Sequence, residues 1–542
     1  MGNSCSNQTT DIQTKFTDMR LMCNSEEVEE GGMKEVDVEG NKILLLRQGG
    51  VVRGLSGTCT HYGAPLVKGV LGANSITCPW HGACFNTTTG DIEDFPGLSS
   101  LVSFNILEKD GNIFIEGNSS DLGKKKRERG GEILEDVDNE RTVVIVGGGA
   151  AGHTAIETFR AEGFDGKIIL VSSDESLPYD RPKLSKKLDA KPSEIQLRPD
   201  TWYKEGGVKV MLGVEVVQVF PENKIVVTSS GERLKYDDLL FATGGSPRKL
   251  GVPGENLEGV KTLRRPADAN FISEAAAGKN VVIIGGSFIG LEVAAALVGS
   301  CKKVTVVDRN TVSFQNILGV EVGAILAKLH TDKGVLFEME ETVSEIQGTD
   351  GTVTGVILGS GKLLEADLVL IGAGVTPNTA PLDNIEGILD SRGILRVDEF
   401  MQSSVPHIWG AGDIVEFPLL TYSRQLINIG HWGIAMYMGK VAALNILGRK
   451  EPAYTVPFFW SVQYGKSVRF AGISKDCDSV KVEVEGESFL ATYSIGGVVQ
   501  GVATLGRDPV AAYFRTMVAH GKQIKEEEAF DFLRTMPNLF SS

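Results

Sequence analysis

Histidine is scarce in this chain, with seven residues in 542, and that scarcity limits every metal chemistry it could support. His61 and His81 belong to one pattern, while His153, His330, His407, His431 and His520 lie far apart and none stands in a pair. Cysteine is equally sparse, at positions 5, 23, 59, 78, 84, 301 and 477. An odd number without pattern apart from 59 and 78 gives no disulfide framework and reads as intracellular usage. Basic residues number 54 against 70 acidic, a formal charge of −16 at pH 7, which argues against nucleic acid as a partner. No apolar run offers a membrane span: the longest, residues 281–298, is broken by Gly285, Gly286, Gly290 and Glu292 and reads as strand, turn and helix. The polar start carries no secretory signal. Length excludes a single core, since about 150 residues per domain predicts three or four domains.

What is present begins with Cys59 and His61, one residue apart, followed after positions 62–77 by Cys78 and His81. Two thiolates and two imidazoles spaced as Cys-x-His and Cys-x-x-His match the ligand set of a Rieske [2Fe–2S] centre, two Cys on one iron and two His on the other. The same four side chains also suit a structural zinc ion, although zinc modules usually separate paired ligands by two to four residues. Buried, unliganded Cys and His are the third reading. Gly63 and Pro65, then Pro79 and Gly82, predict two tight loops meeting tip to tip. Short β-prone runs over 34–117 predict an all-β module around them, with 91–96 placed to cover the second loop. Ahead of it, residues 1–30 read as a disordered tail. Its first residues fit the acylation pattern, with Gly2 as myristate acceptor and Cys5 available for palmitate, which would tether the chain to a membrane. After the module, residues 119–140 are polar and charged and read as a solvated linker that would let the module move.

A β-branched strand over 141–146 then runs into Gly147, Gly149 and Gly152, a helical stretch follows, and a second strand ends shortly before Asp174. The glycines admit a pyrophosphate to the backbone, the helix N-terminus favours its charge, and the carboxylate reaches an adenosine ribose. The pattern recurs: a strand over 280–284, Gly285, Ser287 and Gly290, a helix, and a strand ending at Asp308. Asp308 would accept from a ribose 2′-hydroxyl and repel a 2′-phosphate, which favours NADH over NADPH. Thr243 and Gly244 on one side and Asp413 on the other bracket the second fold, as an inserted domain would.

From Thr142 onward the chain resembles the FAD-dependent pyridine nucleotide-disulfide oxidoreductases, in their ferredoxin-reductase and apoptosis-inducing-factor branch. The signature is residues 177–186, Leu-Pro-Tyr-Asp-Arg-Pro-Lys-Leu-Ser-Lys. With the Rieske module in front, the whole resembles the Rieske-bearing type 3 members of the apoptosis-inducing factor family. The resemblance implies a multidomain fold: a Rieske domain (31–118), an FAD domain (141–258 and 375–450) with an NAD domain (259–374) inserted, both Rossmann-like α/β, and an α+β C-terminal reductase domain (451–542). It implies that FAD is bound by Gly147, Gly149, Gly152, Asp174, Arg181, Thr243, Gly244, Arg264 and Asp413. It implies further that Lys186 and Glu292 form an ion pair beside the isoalloxazine, that Trp432 and Trp460 pack near it, and that Gly285, Gly290 and Asp308 take NAD(P)H. The C-terminal domain serves as a dimer surface in some members, and the location implied is cytoplasmic with mitochondrial or membrane association. The chain departs from the disulfide branch in having no closely spaced thiol pair beside the flavin, so thiol-disulfide exchange is excluded.

Two functions follow. One is an NADH-dependent flavoenzyme that passes electrons from FAD to the cluster and on to a one-electron acceptor. The other is a redox-responsive apoptosis or signalling protein in which NADH-linked shape change matters and turnover does not. A Rieske oxygenase would need two further paired histidines and a carboxylate, and the scattered remainder supplies no such pair.

Overall fold

The computed structural model describes residues 19–117, 119–129 and 139–539. The N-terminal module is all β. Its larger sheet has the strand order Met19–Asn24, Asn112–Glu116, Ser103–Lys109, Val51–Ser56, Asn41–Gln48, Met33–Val38. A smaller sheet of Val70–Leu71, Ser75–Thr77, Cys84–Asn86 and Ile92–Asp94 carries the second ligand loop between its middle strands. Alternation in Asn41–Gln48 puts Leu44 and Leu46 into the core shared with Leu55, Phe85 and Leu101, all fully buried.

Two expectations need correction here. Residues 19–30 are not tail: Met19–Asn24 is an edge strand paired antiparallel with Asn112–Glu116, and Ser25–Glu27 a 3₁₀ turn. Local pattern hides this strand because its stability comes from a partner some ninety positions away, with Met22 and Cys23 packed beside Val28 and Ile113. Nor is the segment 119–129 a free linker. Ser119–Leu122 is helical with Leu122 buried, Arg127 exchanges backbone hydrogen bonds with Ser100, and Arg129 packs over the ring of Phe95. Gly2 and Cys5 lie outside the described residues.

Two parallel five-stranded sheets form the nucleotide-binding domains. The first has the order Val208–Leu212, Lys167–Ser172, Thr142–Val146, Asp238–Phe241, Ile408–Gly410, with its last strand arriving from far downstream. The second has Val260–Lys261, Leu368–Ile371, Asn280–Ile284, Lys303–Asp308, Leu336–Met339. Gly245–Pro247 and Val375–Pro377 pair antiparallel where the chain leaves the first domain and re-enters it, as insertion requires. The interrupted apolar run resolves into the strand Asn280–Ile284 and the helix Phe288–Leu297. The C-terminal domain is a five-stranded antiparallel sheet covered by two helices, Val510–Ala519 and Ala529–Thr535, where one was expected.

The β module does not hang free. Asp94, in the segment that follows the second ligand loop, turns toward the C-terminal half of the chain, where it forms a buried ion pair with Arg515 and accepts from Thr455 Oγ1 at 2.7 Å. Lys440 Nζ donates to Glu93 O at 2.9 Å, Arg469 Nε to Trp80 O at 2.7 Å, and Thr516 bonds Thr77 at 2.9 Å. The first ligand loop is braced from within the module, Thr60 Oγ1 donating to Ser99 O at 2.6 Å. Removing one partner of a buried ion pair strands the other, so Arg515→Ala is expected to cost about 3–5 kcal/mol. A urea titration followed at the cluster absorbance reads this as a lowered midpoint for the module.

Candidate functional site

The two ligand loops are built alike. Cys59 N donates to Ala64 O at 2.8 Å and Gly63 N to Cys59 O at 3.0 Å; Cys78 N donates to Ala83 O at 2.8 Å and Gly82 N to Cys78 O at 3.2 Å. Gly63 and Gly82 supply the positive φ, +76° and +73°, that each turn needs. The Gly-Ala pair after each ligand pair was a sequence signal for this symmetry. Facing each other, the loops bring His61 Nδ1 within 3.1 Å of His81 Nδ1. Two nitrogens bound at ~2.1 Å to one metal ion in near-tetrahedral geometry lie roughly 3 to 3.4 Å apart.

Burial, with Lys183 adding to it, lowers His61 to about 3, and burial with His61, Arg469 and Lys186 lowers His81 to about 2, so both rings are neutral and free to ligate at neutral pH. The two thiols act on each other: their interaction holds Cys59 well up and draws Cys78 down, burial raises both, and Arg469 adds to the pull on Cys78. Among the described residues no three His, Cys, Asp or Glu side chains converge on a single point. Histidine stands beside histidine and cysteine beside cysteine, and this division into two pairs of one kind fits a binuclear cluster with two donors of one kind at each iron.

Next to the loops opens a cavity of about 710 Å³. Its walls hold Gly147, Gly149, Asp174, Arg181, Lys186, Thr243, Gly244, Arg264, Glu292, Asp413, Trp432 and Trp460, so twelve of the predicted residues come together. Gly152 sits behind the wall: a Cβ there would lie 2.0 Å from Gly147 O, which is why the helix Ala150–Ala161 can press against the turn. At Gly149 the space where a Cβ would point is empty, leaving room for a phosphate at the helix N-terminus. Asp174 takes Arg181 at 3.1 Å and Arg265 at 3.0 Å. Burial pushes the Asp413 carboxyl up against the pull of Arg264 and Arg181, and burial with Arg181 lowers Arg264 to about 10. Lys186 Nζ lies 2.8 Å from Glu292 Oε2, and Glu292 also accepts from Ser185 and from Ser461. Neither serine was predicted, though each neighbours a residue that was. His431 Nδ1 is buried without a partner and burial lowers the ring to about 4. An unmatched His431 nitrogen and a buried Asp413 carboxyl along a Gly-rich wall fit a dinucleotide with a polar ribityl chain.

Gly285, Gly290 and Asp308 lie outside this cavity and form a second cradle of the same design. Gly285 has φ +112° against +113° at Gly147, and a Cβ on Gly290 would meet Gly285 O at 2.1 Å. Ser287 takes the extended N-cap conformation of Gly149 and needs no glycine there. Asp308 Oδ2 accepts from Gly286 N at 2.6 Å, and Oδ1 from Asn310 N and Nδ2, both at 2.8 Å. The helix begun at this loop sends Phe288, Ile289 and Glu292 into the cavity wall. Between cavity and ligand loops stands Trp460: it lines the cavity, its ring lies 4.4 Å from His81 and 5.7 Å from His61, and the neighbouring Phe458 ring packs on Gly82.

Two Rossmann folds, one walling the cavity with its Gly-rich turn and the other reaching it through Phe288, Ile289 and Glu292, joined to a Rieske-type loop pair, define an FAD-dependent NAD(P)H oxidoreductase carrying its own iron–sulfur domain. The family "Pyridine nucleotide-disulphide oxidoreductase" matches residues 141–439, "Rieske [2Fe-2S] domain" 18–105 and "Reductase C-terminal" 458–538. Apoptosis-inducing factor 3 of Homo sapiens is 39% identical over 94% of this chain and 85% of its own. The probable ferredoxin reductase CtmF of Castellaniella defragrans is 32% identical over 72% of this chain and 97% of its own. Among solved structures, the ferredoxin reductase for the CYP199A2 system from Rhodopseudomonas palustris has a TM-score of 0.69 at 26% identity, covering 73% of this chain and 99% of that one. A chain of the covalent putidaredoxin reductase–putidaredoxin complex also has 0.69, at 28% identity and the same coverage. The chain belongs to the apoptosis-inducing factor family, as one of its Rieske-bearing type 3 members. No helix among the described residues is long and apolar enough to cross a membrane.

Proposed function

We propose that the chain carries electrons from NADH, through FAD in the large cavity, to a cluster held by Cys59, His61, Cys78 and His81, and on to a separate one-electron acceptor. The observation that supports this most is Trp460, which touches the cavity on one side and His81 on the other. FAD, once bound, takes a hydride and can release electrons singly, which is what a [2Fe–2S] centre accepts. The chain's own part is placement. Gly147, Gly149 and the start of the helix Ala150–Ala161 seat the pyrophosphate, and Asp174 and Asp413 receive ribose and ribityl hydroxyls. Lys186 and Glu292 neutralise each other at the wall reached by Phe288 and Ile289, keeping a fixed polar pair at the nicotinamide end without net charge. Phe458 and Trp460 close the side facing the cluster and exclude water from it. Anaerobic NADH added to the holoprotein should bleach both flavin and cluster absorbance. Flavin bleaching with an unchanged cluster spectrum would remove the reading.

The preference for NADH rests on Asp308, whose two oxygens are already fixed by Gly286 and Asn310 and cannot turn away from a 2′-phosphate. Asp308→Asn keeps an acceptor for Gly286 N and removes the charge. It is expected to move the ratio of kcat/KM for NADPH over NADH upward by about tenfold or more, roughly 1.4 kcal/mol. Steady-state assays with both nucleotides check this.

A further inference from the structure

The strand Phe458–Gln463 stands between two partners, and its alternation divides them. Phe458 and Trp460 face the module, the first packed on Gly82 and the second 4.4 Å from the His81 ring. Phe459, Ser461 and Gln463 face the inserted nucleotide domain: the Phe459 ring lies 4.9 Å from Phe288, Ser461 reaches Glu292, and Gln463 reaches His330 of the helix Gln315–Thr331. Ser461, Gln463 and His330 are all buried, and their hydrogen bonds form one row. Gln463 Oε1 can only accept, so His330 Nε2 donates to it at 2.8 Å. A neutral ring that donates from Nε2 accepts at Nδ1, and there the Tyr464 hydroxyl donates at 2.9 Å. Burial lowers the His330 ring and raises Tyr464 to about 12, which keeps both neutral. Gln463 Nε2 in turn donates to Ser461 Oγ at 3.2 Å, and Ser461 Oγ to Glu292 Oε1 at 2.7 Å. Every donor in the row points inward, toward the carboxyl whose other oxygen takes Lys186 Nζ at 2.8 Å. Bonds directed alike strengthen one another in a protein interior.

We propose that His330 is a positioning residue of the flavin site: by donating to Gln463 it fixes the direction of this row, so that Ser461 donates to Glu292 and the carboxylate keeps its charge beside Lys186. This rests on the reading of Lys186 and Glu292 as the polar pair at the flavin. The point of control is the Gln463 amide, whose two ends have nearly the same shape. Without the His330 donor, Oε1 is a buried acceptor with no partner, and turning the amide over repairs this by offering Oε1 to the Ser461 hydroxyl. The serine then donates to Gln463, and Glu292 loses a hydrogen bond to its ionised form. It takes up a proton more readily and leaves the Lys186 ammonium unopposed, and a cation at the cavity wall favours the electron-rich, reduced flavin.

The test reads the flavin of the full-length holoprotein at anaerobic equilibrium with a reference dye of known potential. Xanthine and xanthine oxidase supply the electrons, so no NADH is present and the result does not depend on nucleotide binding or on transfer to the cluster. At one fixed poise, Ser461→Ala and Glu292→Gln should raise the ratio of reduced to oxidised flavin by about threefold to tenfold, and His330→Phe should raise it by about twofold to fivefold. His330→Gln, which restores a donor where Nε2 stands, should behave as the parent. Adding His330→Phe to Glu292→Gln should change nothing further, since its route is the charge already removed. His330→Leu, smaller than histidine, serves in both backgrounds if His330→Phe does not fold. A parental ratio on loss of the His330 donor, or a shift that persists in the Glu292→Gln background or in His330→Gln, would overturn the proposal. A parental ratio in Glu292→Gln itself would overturn the reading of the pair at the flavin, and this inference with it.

Discussion

Cys78→Ser is expected to give a folded, yellow protein that NADH still reduces at the flavin, but with iron below about a tenth of the parent content and no electron reaching a one-electron acceptor through the module. Cys78 is fully buried in a loop whose backbone is fixed at both ends by the bonds to Ala83 and Gly82. The neighbouring Cys59 and Arg469 favour its thiolate, the form that binds iron. A serine hydroxyl in that place stays protonated, is harder as a ligand and sits on a shorter bond, so it offers iron little. The flavin should survive because no residue of the loop lines the cavity, which is walled by the two nucleotide domains and by residues 458–460. Iron and sulfide assays beside an anaerobic NADH titration separate the two halves. A Cys78→Ser protein with full iron would show that the cluster does not depend on this thiolate.

What could be read from the residues alone was the chemistry that depends on short spacing. The ligand pairs, both Gly-rich turns, and Asp174, Asp308 and Asp413 are local patterns, and each turn's positive φ and missing Cβ follow from glycines at fixed offsets. Contacts of long range were opaque. The edge strand Met19–Asn24 is short and lacks regular alternation, and only its pairing with Asn112–Glu116 makes it a strand. The ion pair of Asp94 with Arg515, more than four hundred positions apart, turned a module expected to swing into one that is seated. Tyr62 gave no signal of its own either, because its ring lies flat on His61 while its hydroxyl reaches Asp180, a contact between segments far apart in the chain.

The repeated turn allows the two nucleotides to be separated by one matched pair of variants. Gly152→Ala is expected to yield protein without FAD, and Gly290→Ala to yield protein that keeps FAD yet no longer responds to NADH. In each, the new Cβ would stand 2.0 or 2.1 Å from a backbone oxygen, that of Gly147 or Gly285. The obstacle is main chain in a turn already committed to a positive φ, so it cannot swing aside as a side chain would, and the helix must retreat from its strand. Retreat opens the phosphate cradle at the helix N-terminus, where the amides have to meet the pyrophosphate at hydrogen-bond distance. The cost falls in the range of about 1–3 kcal/mol for overpacking, or above it, and is charged against nucleotide affinity as well as stability. Flavin content after purification reads the first variant, and NADH-dependent bleaching at saturating FAD reads the second. Because the cradles share geometry and differ in what they seat, loss of FAD in Gly290→Ala would mean that the second turn supports the first domain's fold, and the assignment of Gly285, Gly290 and Asp308 to the nicotinamide nucleotide would have to be withdrawn.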